Sequence, residues 1–193
     1  MPYKIKKFGL ISIPEDLEAE SMSGRAREID PLELKIVKDI CLEFIDRPIN
    51  IMEIGVNRND EDSFTQVLIK YKHPDSKYFG VDLDDKSYLN AENVYTFKCS
   101  SFKYDKVVAE MNRVGITSLD LLLIDGDHRV GGTFTDWSYS VLVNKGGRIL
   151  IHDVHTHDGP RKLMKLIDPE LFDVEFLTNS DSGVYGLGMA TRK

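Results

Sequence analysis

From Asp30 onward the apolar positions change period repeatedly, and each change marks a predicted element. Ile36, Val37, Ile40, Cys41, Phe44 and Ile45 recur at helical spacing. They follow Asp30-Pro31-Leu32-Glu33, which has the form of a helix start: an Asp cap, Pro in the first turn, and Glu three residues after the cap. This helix is expected to end near Asp46, before Pro48. The run INIMEI (49–54) then predicts a short strand, and Ser63 to Tyr71 a helix. KYFGVDL (77–83) reads as a second strand with a polar helix or turn through Tyr88, and VYTFK (94–98) as a third. Tyr104 to Val114 reads as a helix. LDLLLID (119–125) is a fourth strand, apolar on both faces as a strand covered on both sides must be. A helix over 133–143, a fifth strand GRILIHD (147–153) and a helix over 160–167 complete the alternation.

Repeated strand–helix alternation implies a parallel sheet with right-handed crossovers and helices on both faces. FDVEFLT (172–178) and GVYGLGMAT (183–191) are joined only by NSDS, too short for a parallel crossover, so they are expected to form an antiparallel hairpin at one edge. The expected fold is α/β: a Rossmann-like, doubly wound, seven-stranded, mostly parallel sheet with an antiparallel C-terminal hairpin. Residues 1–193 read as one domain, with 1–30 as an arm or lid lacking sustained periodicity and 31–193 as the core.

Composition narrows the partners more than the fold. A formal net charge of −7 over 193 residues argues against a nucleic-acid backbone, which needs clustered Lys and Arg. No apolar run approaches the ~20 residues of a membrane-spanning helix, and the first residues lack the long apolar core of a signal peptide. A small-molecule substrate is the expected partner, with homo-oligomerisation left open. Cys41 and Cys99 are far apart, lack metal-type spacing and have apolar neighbours. They read as buried free thiols, which favours the cytoplasm.

Ligands of an open parallel sheet bind beyond the carboxyl ends of its strands. The five predicted parallel strands end in Glu53-Ile54-Gly55, Asp82, Ser100-Ser101, Asp125-Gly126-Asp127-His128 and His152-Asp153. Turn preference alone can put one Asp or Ser at a strand end; five acidic or hydroxylic endings at one edge point to a site. Asp82 suits two ribose hydroxyls, although a cap for the next segment would use the same residue type. The loop 55–62 has one glycine, where a dinucleotide fingerprint has three, and adds acidic charge where a pyrophosphate would lie. A ribose-bearing ligand without phosphate is the better match. His128, His152, His155 and His157 fall in a short span and could approach one another. The last three read more readily as packed or solvated side chains, the alternative being a second metal constellation with His155 or His157 as a ligand. Asp127 and Asp136 read as local pairing groups. Trp137 reads as core.

The segment IDGDHRVGGTFTDWSYSVLVNKGGRILIHD (124–153) resembles the signature of class I S-adenosylmethionine-dependent methyltransferases, closest to the macrolide-sugar and rhamnose O-methyltransferase branch. EIGVNR (53–58) is similar to the first cofactor motif of that family, with Asn59 and Asp60 in place of its later glycines. GVDLD (80–84) is similar to the second. Gly159-Pro160 before a helix and the terminal hairpin also fit, so the resemblance spans roughly residues 31–190. It implies S-adenosylmethionine as cofactor, with Glu53 and Gly55 beside the methionine part, Asp82 on the ribose and Ser100 and Ser101 near the adenine. It places Asp125 both beside the cofactor and, with Asp153, on a Mg²⁺ ion, with His128 as the catalytic base. Val154 stands where relatives often have a third metal ligand, Asp or Asn.

The implied activity is O-methyl transfer to a small hydroxylated substrate such as a sugar, with Mg²⁺ as an optional aid. In-line displacement at a sulfonium depends on positioning; a weakly nucleophilic hydroxyl benefits from a chelating cation and a nearby imidazole. Two other readings stay open: a metal-dependent hydrolase built on the Asp/His cluster, and a non-catalytic nucleoside-binding or interaction module.

Overall fold

A computed structural model describes residues 5–8, 11–14, 29–56, 63–179 and 185–193, the first two stretches as backbone only. The loop positions Asn59 and Asp60, most of the 1–30 arm, and residues 180–184 of the terminal connection lie outside the described residues.

Strands β1 (Ile5–Phe8) and β2 (Ile11–Pro14) pair antiparallel as a separate ribbon that does not join the main sheet. The core follows as α1 (Pro31–Leu42), β3 (Asn50–Ile54), α2 (Phe64–Tyr71), β4 (Lys77–Asp82), β5 (Val94–Lys98), α3 (Tyr104–Arg113) and β6 (Leu119–Ile124). Then come α4 (Val130–Trp137), β7 (Val143–His152), α5 (Asp158–Leu166), β8 (Phe172–Phe176) and β9 (Leu187–Arg192). The seven-stranded sheet runs β5-β4-β3-β6-β7-β9-β8, parallel through β7 and antiparallel at β7/β9 and β8/β9. This is the expected architecture. The hairpin reading required no order for its two strands; β9 is the inner one and β8 the edge.

The helices distribute as the apolar pattern requires. Val37, Ile40 and Cys41 of α1 and Phe64 and Leu68 of α2 pack on one face with Ile51, Tyr78, Leu121, Leu123 and Leu150. Val107 and Met111 of α3, Phe134 and Trp137 of α4 and Leu163 of α5 pack on the other with Met52, Phe79, Leu122, Ile124 and Ile151. Leu121, Leu122 and Leu123 of β6 are fully buried, each side chain stabilising by about 1.5–3 kcal/mol relative to exposure. Trp137 is core, set edge-on to Phe172.

Caps fix where the helices begin. Asp30 accepts from Leu32 N at 2.7 Å while Glu33 accepts from Asp30 N at 3.1 Å, the expected capping box, typically worth about 1 kcal/mol. Several boundaries differ from expectation, and β7 begins at Val143, four residues early. The first helix stops at Leu42 and continues only as turns to Asp46. The helix expected over 133–143 begins at Val130 and gives way to a tighter 3₁₀ turn over Ser138–Leu142. Cys41 is buried as expected, but Cys99 is only half-buried. Among the described residues no helix is long and apolar enough to cross a membrane.

Candidate active site

Crossovers leave β3 toward β4 and leave β6 toward β7, so the neighbouring pair β3/β6 is the switch point of the sheet and opens a crevice at its carboxyl ends. Gly55 lies on the rim of that crevice with φ 87°. Its N–H donates to Val81 O at 2.9 Å, and a Cβ there would lie 2.1 Å from Asp125 O. Only glycine meets both conditions.

On the β4 side, Asp82 Oδ1 accepts from Asp84 N at 2.7 Å, closing a local turn; the helix cap weighed as its alternative is not its role, since Lys86 stands at the cap position of the next short helix, and Asp82 stays partly exposed. Cys99 N donates to Asp82 O at 2.8 Å, which brings the Ser100-Ser101 loop alongside. The Tyr139 hydroxyl donates to Ser101 O at 2.7 Å and fastens that loop to the turn after α4. Leu83 and Phe102 flank this half of the edge, 72% and 54% exposed. Open apolar side chains next to Asp82 and Ser101 offer surface suited to a planar base, and neither is marked by any local sequence pattern.

Glu53 is fully buried under the crevice. Its Oε2 accepts from the hydroxyls of Tyr78 and Thr65, and its Oε1 has no hydrogen-bond partner among the described residues. Burial pushes its carboxyl up to about 8; the Tyr78 and Thr65 hydrogen bonds pull the other way, and Asp125 and Asp82 add to the rise.

On the β6/β7 side the strand-end acids and histidines interlock. His152, 3% exposed, places Nδ1 2.8 Å from Asp125 Oδ1 and Nε2 3.3 Å from Glu33 Oε2, with its ring edge-on to Phe64. His128 Nε2 lies 2.9 Å from Asp153 Oδ2 and 3.6 Å from Asp125 Oδ1. His157 Nδ1 lies 3.2 Å from Asp153 Oδ1, and the His128 and His157 ring centroids are 4.5 Å apart. Burial opposes charge on His128, but Asp125 and Asp153 outweigh it and lift the imidazole to about 10. Burial likewise works against Asp153, yet His128 and His152 hold it at about 2. Asp125 is lowered in the same way, chiefly by His152. As arranged, His128 is an imidazolium, and service as a base requires that it first lose this proton.

The loop carrying these groups is held from both sides. Gly159 N donates to His128 O at 3.2 Å, and a Cβ on Gly159 would sit 2.4 Å from that oxygen. Asp127 pairs with Arg129 through both oxygens, the local role expected for it. Asp136 is fully buried, and its carboxyl is pushed up to about 7 by that burial. Asp153 has φ 62°, a left-handed conformation uncommon for a residue with a side chain. His155 turns away to Thr178 O, 2.9 Å distant, and stacks on Phe176.

Glu33 was legible only as a helix cap. Its Oε1 accepts from Gly186 N at 2.7 Å, and its Oε2 also reaches His152, so it belongs to the site. No local pattern links it to residues so distant in sequence.

The donors match the two implied ligands unequally. The side-chain-free Gly55, packed against the Asp125 backbone, and the unpartnered Glu53 Oε1 beneath it are compatible with S-adenosylmethionine at the β3 end. Mg²⁺ requires oxygen donors in near-octahedral array, but both aspartates face imidazole nitrogens and Val154 is buried in the core at the third position. The residues present do not fit Mg²⁺.

No protein-family model matches the chain, and no curated protein matches it. Solved structures do. MycE methyltransferase from the mycinamycin biosynthetic pathway, in complex with Mg, S-adenosylhomocysteine and mycinamycin VI, is 15% identical at TM-score 0.62, with 82% of this chain and 48% of that chain covered. The chain thus spans about half the length of MycE. An O-methyltransferase from Bacillus cereus in complex with S-adenosylhomocysteine is 17% identical at TM-score 0.63, covering 88% and 84%. A Burkholderia thailandensis didemethyltoxoflavin N-methyltransferase with its substrate and S-adenosylhomocysteine is 18% identical at TM-score 0.54, covering 83% and 77%. The order of strands, the switch point at Gly55 and these likenesses together give the chain the fold of the class I S-adenosylmethionine-dependent methyltransferases.

Proposed function

We propose that this chain is an S-adenosylmethionine-dependent methyltransferase acting on a hydroxyl of a small acceptor, sugars among them. The observation that carries the proposal is the division of the sheet edge around Gly55. Asp82, Ser100 and Ser101, flanked by Leu83 and Phe102, form a half suited to a nucleoside. Asp125, His128 and Asp153 form a charged half suited to a polar acceptor. In this reading Asp82 accepts from ribose hydroxyls, Gly55 lets the cofactor lie against the β3 end, and Ser100 and Ser101 border the base. The cofactor supplies an activated methyl on a sulfonium. The protein's part is to align the acceptor with it and exclude water, the dominant contribution in a displacement of this kind. The acidic surface favours a small molecule over nucleic acid as acceptor.

Calorimetry with S-adenosylhomocysteine tests the reading. The wild-type chain is expected to bind one equivalent, Asp82→Ala to bind at least about tenfold more weakly through loss of charge-assisted hydrogen bonds, and His128→Ala to bind as wild type while losing turnover. Absence of binding by the wild type would overturn the proposal, and retained turnover in His128→Ala would remove His128 from the reaction.

A further inference from the structure

We infer that His128, Asp153 and His157 form a site for one divalent transition-metal ion of the Zn²⁺ or Co²⁺ class, in place of the Mg²⁺ site implied by the strand-end aspartates. One ligand atom from each of the three lies within 4.8 Å of the others. Asp153 Oδ2 to His128 Nε2 is 2.9 Å, and Asp153 Oδ1 to His157 Nδ1 is 3.2 Å. Metal bonds of about 2.1 Å set at 90–109° separate neighbouring donors by about 3.0–3.4 Å, so each imidazole nitrogen stands at donor spacing from its own oxygen of the Asp153 carboxylate, and a shared ion would take both oxygens or one after a small rotation of that carboxylate. Two imidazoles and one carboxylate select borderline metals over Mg²⁺.

Independent observations point the same way. His128 Nε2 is a buried atom that, despite its closeness to Asp153, makes no aligned hydrogen bond. The three residues are held where a shell needs them: Gly159 N fixes the His128 carbonyl, His157 N donates to Asp153 O at 3.0 Å, and Thr156 Oγ1 donates to Asp153 Oδ1 at 3.0 Å. Outer contacts of this kind orient ligands in built metal sites. Asp153 keeps its left-handed φ of 62°, a strained choice that surrounding contacts must hold. His128 and His157 keep 36% and 21% of their side-chain surface exposed, so an ion can enter and a position remains open to a further ligand. Ligation requires each imidazole to present an unprotonated ring nitrogen, so binding competes with protons. It gives His128 a ligand's role in place of the general base suggested by family resemblance.

The test uses the 193-residue, tag-free chain stripped with a chelator and needs no cofactor. One equivalent of Co²⁺ is expected to develop the intense visible bands of a four- or five-coordinate, nitrogen-containing site. By calorimetry Zn²⁺ is expected to bind at least about tenfold more tightly than Mg²⁺. His128→Ala and His157→Ala should each weaken Zn²⁺ by about tenfold or more, with thermal unfolding recorded to confirm the fold. His155→Ala should not. His157→Asp, which supplies oxygen at one corner, should narrow the preference for Zn²⁺ over Mg²⁺. Wild-type Zn²⁺ affinity in both His→Ala variants, Mg²⁺ binding as tight as Zn²⁺, or only the weak octahedral Co²⁺ spectrum would overturn the inference. Binding of S-adenosylhomocysteine is measured separately, so failure here is distinguishable from failure of the methyltransferase proposal.

Discussion

Glu53 and His128 couple folding to pH in the same direction for opposite reasons. The Glu53 carboxyl, raised to about 8 by burial, keeps a proton when folded that the unfolded chain releases near pH 4.5. Its contribution therefore falls as pH rises from about 4.5 to about 8, at up to about 1.4 kcal/mol per pH unit. His128 is raised by its carboxylate partners, so its stabilisation is complete below pH 6.5 and disappears as the pH rises to about 10. Asp153, held at about 2, supplies the acid limb: its stabilisation is present above pH 3.8 and is lost as pH falls toward 2. Urea unfolding midpoints measured from about pH 5 to 10 should decline steadily in the wild type. Glu53→Gln should flatten the lower part of that decline and His128→Gln the upper part; unaltered profiles in both would contradict these assignments. Asp125, Asp153 and His128 could be read in the sequence because strand ends announce themselves by period and turn chemistry. Glu33 could not, since a capping box accounts for its identity locally and its second partner set is made by the fold. Tyr78 and Thr65 were silent for the same reason: each looks like an ordinary strand or helix residue until Glu53 is placed between them.

Among the elements, the strands were easier to read than the helix starts. LDLLLI has no other sensible reading, whereas Gly131-Gly132 obscured the beginning of α4, because glycine costs about 1 kcal/mol in a helix. Gly132 is tolerated there for contact: a Cβ would meet Asp127 at 2.3 Å. The order of the terminal strands was also hidden, since both carry apolar residues. Burial separates them: Leu187 to Ala190 are all buried in β9, whereas β8 is largely open, as an edge strand is. The turn leaving β3 gives the sharpest test at this scale. Gly55→Ala must accept a left-handed φ and displace the Asp125 carbonyl. It is expected to cost more than about 1 kcal/mol in chemical unfolding and to abolish S-adenosylhomocysteine binding in calorimetry. Normal affinity in this variant would show that the ligand does not pass the β3 end.

Across the whole molecule, a ligand bound only by the folded chain must raise its stability, by about 2.7 kcal/mol at one hundred times its dissociation constant. For a chain of this length that corresponds to roughly 5–10 °C in the unfolding midpoint. Differential scanning calorimetry should find such a rise with S-adenosylhomocysteine in the wild type and a much smaller one in Asp82→Ala. An equal rise in both would place the ligand away from Asp82. The general plan needed for this experiment was visible in the alternation of periods. The closure of the site was not, because it depends on side chains meeting across the sheet. Glu33 shows what such closure entails. One carboxylate serves the first turn of α1, the backbone of Gly186 and the ring of His152, 119 positions away along the chain. Any change that slid α1 along its axis would therefore be felt at Asp125 through His152. Lineages of this protein should be free to rewrite the outer surface of that helix, while its starting point is inherited as part of the site.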